Sequence, residues 1–314
     1  MNRIRAAVIG GGANCEHEVS LASATSVAAA LSPGKYDVVR LAVAEDGEWH
    51  DASGPIGLAA AIGVLTSCDV ALPIVHGPRG EDGTLAALLD LAGVRYVGSG
   101  VRAGALAMDK WVTKLVAGAI GIATAPGELL TAASSRACRW TGPVVVKPVA
   151  AGSSQGVTLV TDPEQLTAAL QAALALDERV LVEQVVSGRE IDVAVLGDGG
   201  FGRTVSPALE VVVDGFFDFD AKYGGGAEFR VPADLAGSDR KALEDAAVAM
   251  YDALGCRGVA RVDFFLTEAG PVLNEVNTMP GFTAQSQVPR MFAAAGLAYP
   301  DLLERLICEA LVER

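Results

Sequence analysis

An α/β chain built from two or three packed units is the fold class this sequence predicts, and three observations carry the prediction. Short apolar runs alternate with helical patterns through the first third. From residue 144 that rhythm gives way to short strands with few helices between them. The chain's 314 residues also exceed what one small core organises.

The elements follow in order. Residues 4–9 read as a buried strand; the run is too short for a leader's apolar core and leads straight into a Gly turn, Gly10-Gly11-Gly12. A helix is expected over 19–31, strands over 36–44 and 70–75, a helix over 83–92 and a short strand over 94–97. That order predicts a small parallel sheet with helices on its faces. Helical patterns cover 101–108 and 110–121. A strand at 144–148 (VVVKP), a loop (AAGSSQ), a strand ending at 160, a helix over 162–176 and a strand over 179–185 come next. Short strands continue to about residue 232, and a helix over 238–254, a hairpin and C-terminal helices close the chain. Boundaries near 98 and 186 divide it into units 1–98, 99–186 and 187–314.

Composition narrows the function classes. Hydrophobic residues make up 51 %, but charges or Gly interrupt every apolar stretch before it reaches the length of a membrane span. The net charge of −14 leaves no basic stripe to displace counterions, which disfavours a nucleic-acid partner. Five scattered cysteines without paired spacing fit a reducing, cytoplasmic setting, and three histidines that do not cluster with them argue against zinc.

The most informative stretch is the hairpin VARVDFFL (259–266), TEAG, PVLNEVN (271–277). Period-2 alternation puts Arg261 and Asp263 on one face of the first strand and Glu275 and Asn277 on one face of the second. A loop centred on Ala269 sets Asp263 opposite Glu275 and Arg261 opposite Asn277. Two facing carboxylates repel. A divalent cation between them removes the conflict, and carboxylate plus amide oxygens suit Mg²⁺ completed by phosphate oxygens and water. A solvated polar face is the alternative reading.

Other segments carry weaker signals. The loop after Lys147 holds Gly152, Ser153, Ser154 and Gly156, small residues that let backbone N–H groups approach phosphate; it is not a GxxxxGK[ST] loop, and alone it is equally a turn. In GGGANCEHEVS, Cys15 stands where a dinucleotide fingerprint needs its third Gly. Glu16 there serves either helix-end electrostatics or a substrate ammonium group. His76 lies in a polar Gly/Pro loop at a strand's C-terminal end, where open α/β sheets bind ligands, and that loop is also a simple helix start. Lys110 follows a helix break. Glu183 and Glu190, at strand ends, suit a nucleoside or ordinary strand-end polarity. Lys222 and Tyr223 stand beside three glycines in a segment (217–226) suited to a lid.

Together and in this order, GGANCEHEVSL (11–21), HGPRGEDGT (76–84), GSG (98–100), MDK (108–110), VVKP with GSS-G (145–156), DAKY (220–223), GVARVDFF (258–265) and NEVNTMPGFT (274–283) resemble the D-alanine–D-alanine ligase family of the ATP-grasp superfamily. The resemblance spans essentially the whole chain. It implies a three-domain ATP-grasp fold with an N-terminal Rossmann-like parallel sheet, and ATP gripped between the central and C-terminal domains. It implies that ATP phosphorylates the carboxylate of one D-alanine and that the amine of a second displaces phosphate, for peptidoglycan precursors. By motif position, Glu16 holds the first ammonium group in a chain with Ser153 and Tyr223, and His76 sits near that substrate. Arg261 and the Gly281 N–H stabilise the oxyanion. Lys110, Lys147 and Lys222 meet phosphates or the substrate carboxylate, with Ser154 in the phosphate loop. Glu183 and Glu190 meet the nucleoside. Asp263, Glu275 and Asn277 carry two Mg²⁺ ions, for which Mn²⁺ is a substitute, and Ser286 holds the second carboxylate. The family is often homodimeric.

Departures from the family pattern bear on the acceptor. Gln287 stands where the family usually has Leu or Met, beside the acceptor pocket, and Gln155 also replaces an apolar residue. Tyr223 is the residue of dipeptide-forming members. The expectations are therefore D-alanyl-D-alanine synthesis, with D-serine or another acceptor as the alternative in resistance or specialised metabolism. A catalytically silent nucleotide or amino-acid sensor is the reading from another class.

Overall fold

The computed structural model describes residues 3–197, 202–213 and 227–312. Among these residues there are three sheets. In the first, the strands Tyr36–Val43 and Val70–Pro73 flank Ile4–Gly11 in parallel, and Trp49–Asp51 and Gly54–Pro55 extend one edge antiparallel. The central sheet is antiparallel and orders Gly127–Thr131, Arg179–Gln184, Val144–Pro148 and Thr158–Val160. The third sheet runs Ala227–Arg230, Leu209–Val213, Arg189–Gly197, Val259–Thr267, Gly270–Asn277 and Ala123–Thr124, with Arg203–Val205 also paired to Arg189–Gly197. The helices Val101–Met108 and Lys110–Ala119 pack against this third sheet.

Most expected elements form within a few residues of their sequence bounds. The strand expected over 94–97 does not. Only Tyr96 bridges Ala71, because Gly93 and Gly98, both at positive φ (67° and 98°), turn the chain away on either side. The edge strands at Trp49–Asp51 and Gly54–Pro55 and the helix Gly57–Thr66 form in a stretch without a strong periodic signal. The lid expected at 217–226, with Lys222 and Tyr223, lies outside the described residues.

Two features of the fold position the site. The first is alternation in the third sheet. Ile191, Val193, Val262, Phe264, Leu273 and Val276 face one way, into a core shared with Leu243, Ala247, Met250 and Tyr251 of the helix Gly237–Leu254. The opposite face is left to Glu190, Asp192, Arg261, Asp263, Glu275 and Asn277. The second is a bulge. The hairpin closes through the two-residue loop Glu268-Ala269, Thr267 opposite Gly270 at φ 111°, so its centre is half a residue from the one expected. A register shift between Asp263 and Phe264 leaves Asn274 as an extra residue and restores the expected pairs, Asp263 with Glu275 and Arg261 with Asn277.

Candidate active site

A cleft of about 630 Å³ opens between the central and third sheets, a size suited to a nucleotide. Lys110, Lys147, Ser154, Glu183, Glu190, Arg261, Asp263, Glu275 and Gln287, nine residues singled out in the sequence, line it together.

Local structure aims the lysines. Asp109 caps its helix by accepting a hydrogen bond from the Val112 N–H (2.9 Å) and also pairs with Arg179 (2.7 Å), which fixes Lys110 at the first helical position. The Lys110 Nζ donates to the Ala151 carbonyl (2.7 Å) and lies 3.3 Å from Glu275. Lys147, on the strand Val144–Pro148, contacts Glu183 at 2.7 Å and the Asn274 amide oxygen at 3.3 Å. Glu183 is also bound by Lys114, a residue sequence reasoning missed. Burial opposes the ionised Glu183, but the charges of Lys147 and Lys114 outweigh it and hold its pKa below the usual carboxylate range. Burial also pulls Lys114 below the ordinary lysine value, against the attraction of Glu183. Lys114 lies four residues after Lys110 on the same helix face, a spacing that made it findable.

The phosphate-type loop is held in a costly shape. Ser153 and Ser154 both sit at positive φ, 52° and 55°, at roughly 1–3 kcal/mol each. The Ser153 hydroxyl donates a short hydrogen bond to Glu16 and so ties this loop to the N-terminal sheet. Gly77 and Gly152 press on the Glu16 carboxylate so closely that a Cβ at either position would overlap it. The other Glu16 oxygen, Oε2, is buried and makes no hydrogen bond among the described residues. An ammonium group is the partner that oxygen suits.

His76 is buried, and both ring nitrogens are engaged. Nδ1 donates to the Met279 carbonyl (2.8 Å), and Nε2 accepts from the Ser23 hydroxyl (2.9 Å). A carbonyl only accepts, which fixes this tautomer. Beside it is Glu81, also missed, whose carboxylate accepts from the Gly77 N–H (2.7 Å) and the Met279 N–H (3.0 Å). Burial of that carboxylate and the charge of Glu16 push its pKa up to about 8. Ser286 stands in extended conformation just before the helix Gln287–Ala294, and its hydroxyl bonds the Thr283 hydroxyl (2.9 Å) instead of a helical N–H. Gly281 lies against Ser286, whose hydroxyl would stand 3.4 Å from any Cβ at that position. His76, Ser286 and Gly281 thus gather outside the main cleft, around the loop after the hairpin.

Charges cross the third sheet in one row. Asp192, Asp263 and Glu275 occupy paired positions on neighbouring strands. Arg261 binds Asp263 through Nε and Nη2, both at 2.7 Å, and the Asn277 amide donates to Asp263 at 2.9 Å. Asp192 is buried, and burial followed by the charge of Asp263 raises its pKa well above the carboxylate range, against the pull of Arg261. Its sequence signal was its place two residues after Glu190, on the same strand face.

The residues fit a hard cation. Two carboxylates face each other, and Asn277, whose amide nitrogen is turned to Asp263, keeps its oxygen for another partner. Among the described residues no three His, Cys, Asp or Glu side chains converge as a ready-made metal cage. A hard cation such as Mg²⁺ is typically held by one or two carboxylates with phosphate and water oxygens completing the shell.

Comparison with known proteins adds a family to this geometry. Residues 5–63 and 57–99 match the model described as "D-ala D-ala ligase N-terminus", and residues 125–308 match "D-ala D-ala ligase C-terminus". The chain is similar to the D-alanine–D-alanine ligase of Mycolicibacterium vanbaalenii, with 40 % identity over 354 aligned positions covering 97 % of this chain and 96 % of the relative. Among solved structures it is similar to the VanG D-Ala:D-Ser ligase from Enterococcus faecalis, with TM-score 0.86 and 32 % identity, covering 98 % of this chain and 100 % of that one. It is also similar to the D-alanine–D-alanine ligase from Bacillus anthracis complexed with ATP, with TM-score 0.81 and 28 % identity, covering 98 % and 97 %.

Proposed function

The chain belongs to the D-alanine–D-alanine ligase family and has its ATP-grasp fold, and on that premise we propose that it joins two D-alanines at the expense of ATP, for peptidoglycan precursor synthesis. The observation that carries the reading is the cleft between two sheets, lined by Lys110, Lys147, Arg261, Asp263 and Glu275 together.

In this reading Lys110, Lys147 and the backbone around Ser154 hold the ATP phosphates, while Glu183 and Glu190 receive base and ribose. The Glu16 Oε2 atom takes the ammonium group of the first D-alanine, oriented by Ser153, with His76 and Glu81 fixing the loop beside it. The γ-phosphoryl group passes to that substrate's carboxylate. The amine of the second D-alanine, having lost a proton, attacks the acyl carbon, and the C–O bond to phosphate breaks. Arg261 and the Gly281 N–H face the negative oxygen of the tetrahedral stage, and Ser286 holds the second carboxylate. Asp263, Glu275 and Asn277 are the residues to hold two Mg²⁺ ions, which when bound neutralise charge on the phosphates. Lys222 and Tyr223 belong to the proposed lid. We also propose a homodimer, working in the cytoplasm; among the described residues no helix is long and apolar enough to cross a membrane.

The likeness to a D-Ala:D-Ser ligase favours a second reading in which D-serine is the acceptor. One experiment separates the two. Purified protein with ATP, Mg²⁺ and D-alanine, with and without D-serine or D-lactate, is followed by phosphate release and product mass. Dipeptide from D-alanine alone, undiminished by equimolar D-serine, is the expected outcome. Phosphate release only in the presence of a second acceptor overturns it in favour of the alternative. ATP binding without turnover on any amino acid makes the chain a sensor.

A further inference from the structure

Gln287 opens the helix Gln287–Ala294, whose Val288, Pro289, Met291 and Phe292 are buried, so the position of its backbone is fixed. Its side-chain amide is occupied at both ends by the protein. The oxygen accepts from Arg261 Nη1 at 2.5 Å, and the nitrogen donates to Asp192 Oδ2 at 2.8 Å. Arg261 is otherwise held along one edge, by Asp263 through Nε and Nη2, with Asp192 Oδ2 3.6 Å from the same Nε. The contact with Gln287 fixes the remaining nitrogen. Three of the five guanidinium N–H donors are then committed, and one N–H on each Nη is left for a substrate oxygen.

We propose that Gln287 is a positioning residue for Arg261, bridging it to Asp192, and not a contact to the second amino acid. The inference rests on the reading of Arg261 as the group that meets the oxyanion. The chemistry of the three partners suits an amide. A guanidinium only donates and Asp192 Oδ2 accepts, so the residue between them must accept on one side and donate on the other without adding charge. Leu or Met at this position does neither and leaves Arg261 Nη1 and Asp192 without this partner. Asp192 already has a buried oxygen, Oδ1, with no hydrogen bond among the described residues, so losing Gln287 strips the carboxyl group further. The bridge also explains a polar residue at a position where an apolar one was expected from the resemblance. Its amide serves the sheet's charge row and is not presented to the acceptor.

The test uses the full-length enzyme with Gln287→Met, close in length and volume. Positioning predicts kcat lowered by about tenfold or more, equivalent to about 1.4 kcal/mol, with KM for D-alanine within about twofold. The ratio of D-alanyl-D-serine to D-alanyl-D-alanine stays unchanged. The Arg261 Nε–H resonance, assigned by its loss in Arg261→Lys, shifts or broadens. Asp192→Asn, which keeps an acceptor for Gln287, retains more kcat than Asp192→Leu, and Gln287→Met combined with Asp192→Leu is no slower than the worse single variant. An unmoved resonance, or an unchanged kcat with an altered KM or product ratio, overturns the proposal. If Gln287→Met fails to fold, the Asp192 pair carries the same test, and equal rates for Asn and Leu overturn it. A shifted resonance with normal turnover in Arg261→Lys instead removes the catalytic reading of Arg261 and leaves the bridge standing.

Discussion

Glu275 lies opposite Asp263 and 3.3 Å from Lys110, so one carboxylate stands between a like charge and a cation. Its role follows from that conflict. A carboxylate facing another is unfavourable unless a cation lies between them, and Lys110 answers only part of the repulsion. Glu275→Gln keeps the shape and removes the charge. The expected outcome is a Mg²⁺ requirement raised by roughly tenfold or more, with turnover falling at every Mg²⁺ concentration. A titration of rate against Mg²⁺ checks this, and a normal rate at low Mg²⁺ removes Glu275 from the metal set. At the same scale, the residues that sequence reasoning missed share a cause. Lys114 and Asp192 act through other side chains and Glu81 through the Gly77 and Met279 N–H groups, so their roles show only when Glu183, Gln287 and Met279 are seen against them.

The hairpin decides which atoms face the cleft. Alternation gives Glu275 and Asn277 to the site face and buries Val276, but alone it would put Leu273 on the site face too, whereas Leu273 is in the core. What alternation omits is Asn274, the extra residue that brings an amide to 3.3 Å from Lys147. Deleting Asn274 makes the strand regular and keeps Glu275 opposite Asp263. That variant is expected to fold with little change in melting temperature and to show a KM for ATP raised by roughly fivefold, the scale of one hydrogen bond. Deleting Val276 instead slips Asn277 to the core face, and loss of soluble folded protein is expected. Circular dichroism and ATP titration of the two deletions check the contrast, and equal behaviour would contradict the bulge. The phosphate-type loop shows a similar limit. Its small residues were plain in the sequence, but the two left-handed serines, and the tie from Ser153 to Glu16, depend on contacts 137 residues apart.

Across the whole molecule, the N-terminal sheet is joined to the loop after the hairpin by His76 with Met279, Glu81 with Met279, and Ser23 with Phe282. Glu81 makes that junction sensitive to pH. Its pKa in the fold is about 8, against an ordinary 4.5. Below about pH 4.5 the group is protonated in both folded and unfolded chains, and its contribution to stability is complete. As pH rises toward 8 the unfolded chain loses this proton while the fold retains it, so stability is lost across that window. Measured by denaturant unfolding, the stability of wild type relative to Glu81→Gln is expected to fall from about pH 5 to 8 and then level off; a flat difference would show that Glu81 is not protonated in the fold. The sequence by itself determined most of the order of strands and helices, the polar face of the hairpin, and the resemblance of its motifs to one family. These follow from local periodicity and from residue types at short spacing, which one stretch of chain carries within itself. Only the tertiary structure decided that Glu183 is held by two lysines, that Asn274 bulges, and that Gln287 spans Arg261 and Asp192. Each of these joins side chains from elements far apart in the chain, and burial and charge pairing act on such groups only once the sheets have packed.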